Sequence, residues 1–306
     1  MSASVNTSMS AKVNRLLITG GNGQLGSELQ AILAQGRAPL GSIDPSWASC
    51  EVVAGDVDTL DVTDAAAVND FVRAGGFDAI VNCAAATNVD GCESDEAFAR
   101  RLNAEAPANL ARAAAAAGAV LVHVSTDYVL AGSDPMPQAE DAPAAPNTVY
   151  GKTKWAGEQA VAELCPRHFT LRTAWLYGTR GKNFVRTMVG LGRTHDKIRV
   201  VSDQHGSPTF AGDLAWEILA LLGTENYGLY HCTGNGATTW DAFARRIMAN
   251  AGLACEVEGC TTEEWGAPAP RPAWSILDNK RLRDTIGDRM RSWDVALDDF
   301  MGTVEL

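Results

Sequence analysis

Through its first 175 residues the chain alternates short apolar runs with stretches of helical period, and few folds accommodate that order. Residues 13–19, 51–56, 79–83, 120–125 and 169–175 read as strands, and 24–35, 65–73, 95–117 and 149–164 as helices. Strand–helix–strand repetition implies right-handed crossovers and a parallel sheet covered on both faces. After residue 175 the pattern loosens: Pro208, Pro268, Pro270 and Pro272 interrupt it, and helices are expected at 212–222 and 240–251. The expected division is a disordered tail over 1–12, a nucleotide-binding domain over 13–174, and a smaller lobe over 175–306 with some segments returning to the sheet. Gly, Pro and Ser between residues 36 and 50 suggest a surface loop. A second loop, 132–147, lies between a strand and a helix of chemical interest and is a candidate lid.

The first strand runs into Gly20-x-x-Gly23-x-x-Gly26 and then a helix. Glycines there let backbone N–H groups approach a pyrophosphate at a helix N-terminus and let helix and strand pack closely. Gly20, Asn22, Gly23, Gln24, Leu25 and Gly26 are therefore the candidate phosphate-binding turn, and the fold class is α/β: a Rossmann-like doubly wound parallel sheet with a smaller C-terminal substrate-binding lobe. Asp56 closes the second strand and either accepts bonds from a ribose hydroxyl or is a solvated strand-end acid. Asp61 and Val62 follow and either flank an adenine or open the next helix. No Arg or Lys occurs between Arg37 and Arg73 to clamp a 2′-phosphate, yet hydroxyl and backbone donors can serve, so both NADH and NADPH remain candidates.

Tyr150-Gly-Lys-Thr-Lys154 places a phenol and an ammonium on one helix face, four residues apart. A cation held there favours the phenolate and lowers the Tyr pKa. The Thr126 hydroxyl, at the end of the strand before it, can hold a substrate oxygen. Net charge is −12, which excludes a broad phosphate-neutralising face, so nucleic acid is not an expected partner. Apolar runs fall short of membrane-spanning length. The seven cysteines form no CxxC pair, which points to free thiols in a reducing cytoplasm.

With these pieces in order, the chain resembles the extended short-chain dehydrogenase/reductases and, within them, the dTDP-4-dehydrorhamnose reductases. The resemblance spans nearly all of residues 13–283. It is carried by Gly23-Gln-Leu-Gly26, Val81-Asn-Cys-Ala-Ala-Ala-Thr-Asn-Val-Asp90 and Leu102-Asn103-Ala104. His123-Val-Ser-Thr-Asp-Tyr-Val129, Tyr150-Gly-Lys-Thr-Lys-Trp-Ala-Gly-Glu158 and Arg172-Thr-Ala-Trp-Leu-Tyr177 continue it. Asp203-Gln-His-Gly-Ser-Pro-Thr209 and Arg271-Pro-x-x-Ser275-x-Leu277 are its softer pieces. The resemblance implies a triad of Thr126, Tyr150 and Lys154, with Asn103 supporting a water-mediated proton path to Lys154 or else capping a neighbouring loop. It implies Ala84, Ala85 and Thr87 beside the cofactor, or alternatively a tightly packed strand end. It places Asp127, Tyr128 and Val129 along the sugar, Trp175 as an apolar wall or a core aromatic, and Arg271 at a diphosphate or free on the surface.

The implied activity is NAD(P)H-dependent reduction of the C4 keto group of dTDP-4-dehydro-L-rhamnose, by a cytoplasmic monomer or homodimer. Some members of the group hold a divalent ion near the position of Glu28, but no complete ligand set is visible, so no metal is expected. Leu130 stands where the group usually has Phe, and the loop after Gly41 is longer. The 4,6-dehydratases need Asp-Glu after the Thr, and here Asp127-Tyr128 follows. An epimerase needs the same Tyr and Lys. A non-catalytic regulatory relative would commonly have lost the intact triad.

Overall fold

The computed structural model describes residues 12–305. All of the expected tail over 1–12 except Lys12 lies outside them. β1 (Arg15–Thr19), β2 (Glu51–Gly55), β3 (Ala79–Asn82), β4 (Val120–Thr126), β5 (His168–Thr173) and β7 (Gly228–His231) form one parallel sheet in the order β7-β5-β4-β3-β1-β2. The chain leaves β1 toward β2 on one side and returns to β3 on the other. The carboxyl ends of β1 and β3 therefore flank a crevice, the place where open α/β sheets bind ligands.

Apolar side chains on alternate strand positions build two separate cores. Leu16, Ile18, Phe169 and Leu171 meet α1 (Gln24–Gln35) and α6 (Ala211–Leu222), with Leu25, Leu29, Leu214 and Ile218 interleaved. Leu17, Ile80 and Leu121 face α2 (Ala65–Gly75), α3 (Ala106–Ala117) and α4 (Val149–Leu164). The 36–50 segment is more than a surface loop: Ala38, Ile43 and Trp47 are buried in the first core. A third core, around Tyr177, Phe210, Phe243 and Phe300, lies among residues 175–304. It includes α5 (Phe184–Gly192), α7 (Trp240–Asn250), α8 (Trp293–Thr303) and the parallel pair β6 (Lys197–Val201) and β8 (Glu256–Cys260).

The helix expected over 95–117 is broken. Glu96–Arg100 is α-helical, Arg101–Glu105 is a π turn, and α3 begins only at Ala106. Pro107 lacks the N–H that an α-helix would offer the Asn103 carbonyl. The wider turn instead lets Asn103 reach the adjoining loop: Oδ1 accepts from the Ala86 N–H at 2.8 Å, while Nδ2 donates to Ala86 O at 3.1 Å. The expected lid is also tied down. Gln138 N–H donates to Ile276 O, Asp278 N–H to Gln138 O, and Trp274 N–H to Gly132 O. Glu140 accepts from the backbone of His231 and Arg281.

Gly157 is where α4 meets the π turn; a Cβ there would lie 2.2 Å from the Asn103 carbonyl oxygen. Gly157→Ala should therefore destabilise the protein by about 1–3 kcal/mol through overpacking. Gly190→Ala, on the exposed side of α5 with open space around it, should be neutral or stabilising. Urea midpoints of the two variants check the contrast, and equal midpoints would contradict the close approach.

Candidate active site

α4 begins with Thr148 as its N-cap, whose hydroxyl accepts from Gly151 N–H at 2.9 Å. That fixes the phase of the helix, so Tyr150 and Lys154 face the end of β4. Both line one cleft of about 960 Å³ together with Thr126, Asp127 and Tyr128. Gly23, Gln24, Leu25, Ala85 and Thr87 line it as well. Gly20, Asn22 and Gly26 form the turn behind this wall. Gly26 permits that turn, because a Cβ there would lie 2.3 Å from Gly20 O. α1 has no side-chain cap on its first turn. Its backbone N–H groups and helix dipole thus open toward the cleft, a setting that suits a phosphate.

Lys154 is buried and donates from Nζ to Val124 O at 2.6 Å. Desolvation pulls its pKa down to about 8, opposed by Glu158 and Cys83. Glu158 in turn pairs with Arg172 of β5, with Arg172 Nη2 at 2.8 Å, and both side chains are buried. The expectation of a lowered Tyr150 pKa is not met in this state. Burial pushes the phenol up, with the Thr126 hydroxyl pulling the other way. The Lys154 ammonium directs its bond at the Val124 carbonyl. Tyr128 packs edge-on against Tyr150, ring centroids 5.3 Å apart.

Asp127 is buried and accepts from the Thr126 hydroxyl at 2.8 Å. Desolvation raises its pKa to about 6, while hydroxyls of Ser275 and Thr126 oppose the rise. Val129 faces inward with Leu130 and Leu277, so it packs in a core and not on the cleft. Asn103 is fully buried, and its side chain bonds Ala86 and Thr153, the loop-holding arrangement. Asp56 lies one residue beyond β2 and accepts the Asn22 N–H at 2.8 Å, so it braces the glycine turn directly. Asp61 folds back on Thr63, and Val62 is buried with its carbonyl bonded by Asn109; neither lines the cleft. Ala84 sits under the turn, its N–H donated to Asn82.

Trp175 is half-buried against the third core. It lines the cleft and also stacks on Trp240 at 3.5 Å, with a left-handed φ of 49°. Arg271 lines the cleft and pairs with Asp90 at 2.9 Å. Phe184, Trp240, Lys182, Arg199 and Trp265 also line it and escaped sequence reading. Phe184 and Trp240 are the first residues of α5 and α7. An aromatic opening a helix was the available signal, but nothing local tells which end faces a cavity. Glu28 accepts from Thr179 N–H, and among the described residues no three His, Cys, Asp or Glu side chains converge on a metal-sized site.

The model for the RmlD substrate binding domain family matches residues 14–305. The chain belongs to that family. A dTDP-4-dehydrorhamnose reductase of Streptomyces griseus is 42% identical over 290 residues, 92% of this chain and 91% of the relative. A crystal structure of a dTDP-4-dehydrorhamnose reductase from Clostridium acetobutylicum superposes with a TM-score of 0.88 at 43% identity, covering 94% of this chain and 98% of that one. Another, from Bacillus anthracis in complex with NADP, gives 0.88 at 39% identity, with the same coverage.

The raised Asp127 pKa has a consequence for stability. A group whose folded pKa lies above its unfolded value of 3.8 stabilises the fold at low pH, and that contribution is lost as pH rises to about 6. The free energy of urea unfolding should carry a loss of about 3 kcal/mol from this residue across that interval. Asp127→Asn should flatten that part of the profile; an unaltered slope would place the titration elsewhere.

Proposed function

We propose that this chain reduces the C4 keto group of dTDP-4-dehydro-L-rhamnose to the alcohol of dTDP-L-rhamnose, using NADPH or NADH. The observation that carries the reading is one cleft walled by Thr126, Tyr150 and Lys154 on one side and the uncapped start of α1 on another. The turn's bare glycine surface and the α1 amides fit a dinucleotide pyrophosphate. When bound, the reduced nicotinamide supplies the hydride.

Tyr150 donates its proton to the carbonyl oxygen as negative charge develops there, and Thr126 holds that oxygen by its hydroxyl. A phenol kept protonated by burial suits the acid's role in reduction. Lys154, cationic below its pKa of about 8, stabilises the phenolate that remains. The stacked Trp175 and Trp240 give the sugar a flat apolar wall. Lys182, Arg199 and Arg271 bring positive charge to a chain of net charge −12, as a diphosphate requires. We assign residues 13–174 to the cofactor and the cleft-lining part of 175–306 to the sugar nucleotide. Tyr128 occupies the position where dehydration would need a second carboxylate.

Absorbance at the nicotinamide band, followed with dTDP-4-dehydro-L-rhamnose and each reduced cofactor, tests the reading. Substrate-dependent oxidation is expected with both, and none with either would overturn it. Tyr150→Phe should lower kcat by about 10²–10⁴ while leaving cofactor affinity nearly intact. Full turnover in that variant would remove Tyr150 as the acid.

Asp56 decides the cofactor prediction. Its carboxylate both braces Asn22 and stands beside the turn where a 2′-hydroxyl or 2′-phosphate would lie. Asp56→Ala should weaken both cofactors through the loosened turn, yet shift the ratio of kcat/KM toward NADPH by removing a like charge. A fall in both with an unchanged ratio would confine Asp56 to bracing.

A further inference from the structure

The aromatic residues around the cleft mostly have partners. Trp175 stacks on Trp240, and Trp293 meets Phe243 edge-on in the third core. Trp274, outside that core, stacks on His205 at 3.9 Å. Trp265 differs from all of these. It lines the cleft but is 56% exposed, and among the described residues its indole makes no hydrogen bond and no ring contact. A single exposed apolar side chain on an open surface needs no explanation. This one borders a concave site, and its backbone is held in place.

Trp265 ends the short helix Thr262–Trp265, which follows β8. That helix is fixed at both ends. Asp203, two residues beyond β6, accepts at Oδ1 from Thr262 N–H at 2.9 Å and from the Thr262 hydroxyl at 2.7 Å. Gln204 Nε2 donates to the same hydroxyl oxygen at 2.9 Å. Thr261 and Glu264 close a capping box: the Thr261 hydroxyl accepts from Glu264 N–H at 3.1 Å, and Glu264 Oε2 accepts from Thr261 N–H at 2.8 Å. Gly266, with a φ of 66°, ends the helix in the left-handed region. Three residues on, Ala269 N–H donates to Asp90 at 3.1 Å. The turn thus has little freedom beyond the two χ angles of the indole, although the ring stands in solvent.

The neighbours of Trp265 indicate what covers its ring. The Glu264 carboxylate lies 3.6 Å from Arg199 Nη2, and Arg199 and Arg271 both line the cleft. An aromatic platform beside two guanidiniums matches a nucleoside diphosphate, whose base is one ribose away from its phosphates. A bare sugar offers no such ring. We propose that Trp265 is the platform on which the nucleobase of the sugar nucleotide stacks, and that the base is held by its face and not read along its edge. The other side chains near this end of the cleft support the second part. Met188, Leu191, Val200 and Val201, from α5 and β6, are apolar. The Thr187 hydroxyl donates to Asn183 O at 2.8 Å, and Asp203 and Gln204 are turned to Thr262. Every base has a π-face, so stacking tolerates exchange of one base for another. A site built to hydrogen-bond an edge rejects the wrong one by about 10⁴–10⁵. The ligand class is therefore the pyrimidine nucleoside diphosphate sugars at large, with thymidine compounds one case among them.

This assignment rests on the reduction proposed above, and each can fail without the other. Calorimetry with dTDP, dUDP, dCDP and inorganic pyrophosphate, each added to the protein with NADPH present, tests it directly. Trp265→Ala changes an exposed side chain and leaves the fold intact. It should weaken all three nucleotides by about 10- to 100-fold while leaving pyrophosphate and NADPH affinity unchanged. Trp265→Phe, which keeps an aromatic face, should restore most of the loss. Unchanged nucleotide affinity, an equal loss for pyrophosphate, or no nucleotide binding by the natural protein overturns the platform. In the natural protein dUDP and dCDP, which differ along the pairing edge, should bind within about tenfold of each other; a wider gap overturns the face-only reading. In turnover, Trp265→Ala should raise KM for dTDP-4-dehydro-L-rhamnose by about the same factor with kcat little changed, as loss of uniform binding does. Base-dependent binding through Trp265 in a protein that oxidises no cofactor would remove the reduction and leave the platform standing. Turnover with KM unmoved in Trp265→Ala would do the reverse.

Discussion

The close seating of α4 on the sheet is the constraint on which the site depends. One helix brings Tyr150 to the cleft, sends the Lys154 ammonium to the Val124 carbonyl, accepts the Asn103 carbonyl against bare Gly157, and locks Glu158 onto Arg172. These positions span scarcely more than two helical turns, so they move together. A buried ion pair such as Glu158–Arg172 is weak evidence for stability by itself, because desolvation offsets most of its attraction. Its effect here is on geometry: with two hydrogen bonds from Arg172 Nε and Nη2 to the carboxylate, it fixes the height and rotation of the helix.

The cleft joins two kinds of surface. On the sheet side it is lined by short side chains and backbone, where the α1 amides and the ends of β1 and β3 meet. Across from these stand aromatic and basic side chains from α5, β6 and α7, backed by a third core of their own. This division matches the needs of a ligand with phosphates at one end and a sugar or base at the other. The left-handed Trp175 sits at the junction, immediately after β5, and its stacking on Trp240 holds a backbone conformation that a bulky residue rarely adopts. The segment 132–147, placed between Thr126 and Tyr150 in sequence, is stitched to residues 274–278 and braces the two parts.

Much of this was legible in the sequence because it depends on local chemistry. Strand–helix alternation predicts the parallel sheet, and the edges of α1 and α4 agree with expectation because glycine, Thr148 and apolar period mark them. The spacing of Tyr150 and Lys154 placed both on one face, and Thr126 followed from the end of its strand. Reading failed where a residue's fate depends on its neighbours in space. Trp47 looked like part of a polar loop but fills the first core. Residues 95–117 looked like one helix until Pro107 and the pull of Ala86 on Asn103 opened a π turn. Val129 reads as a sugar contact in its motif, yet packs against Leu277 from a segment 148 residues further along, 277 being that far from 129.

By itself, then, the sequence determined the sheet, the glycine turn and the identity of the groups that can move a proton, because each is encoded within one element or one turn. Only the tertiary structure decided their electrostatic state. Burial raises Tyr150 and Asp127 and lowers Lys154, and burial is a property of everything packed around a group. The same holds for the buried polar side chains of the sheet. Thr19, Asn82, His123 and Thr170 come from four strands far apart in the chain, and only their shared register brings them to one face.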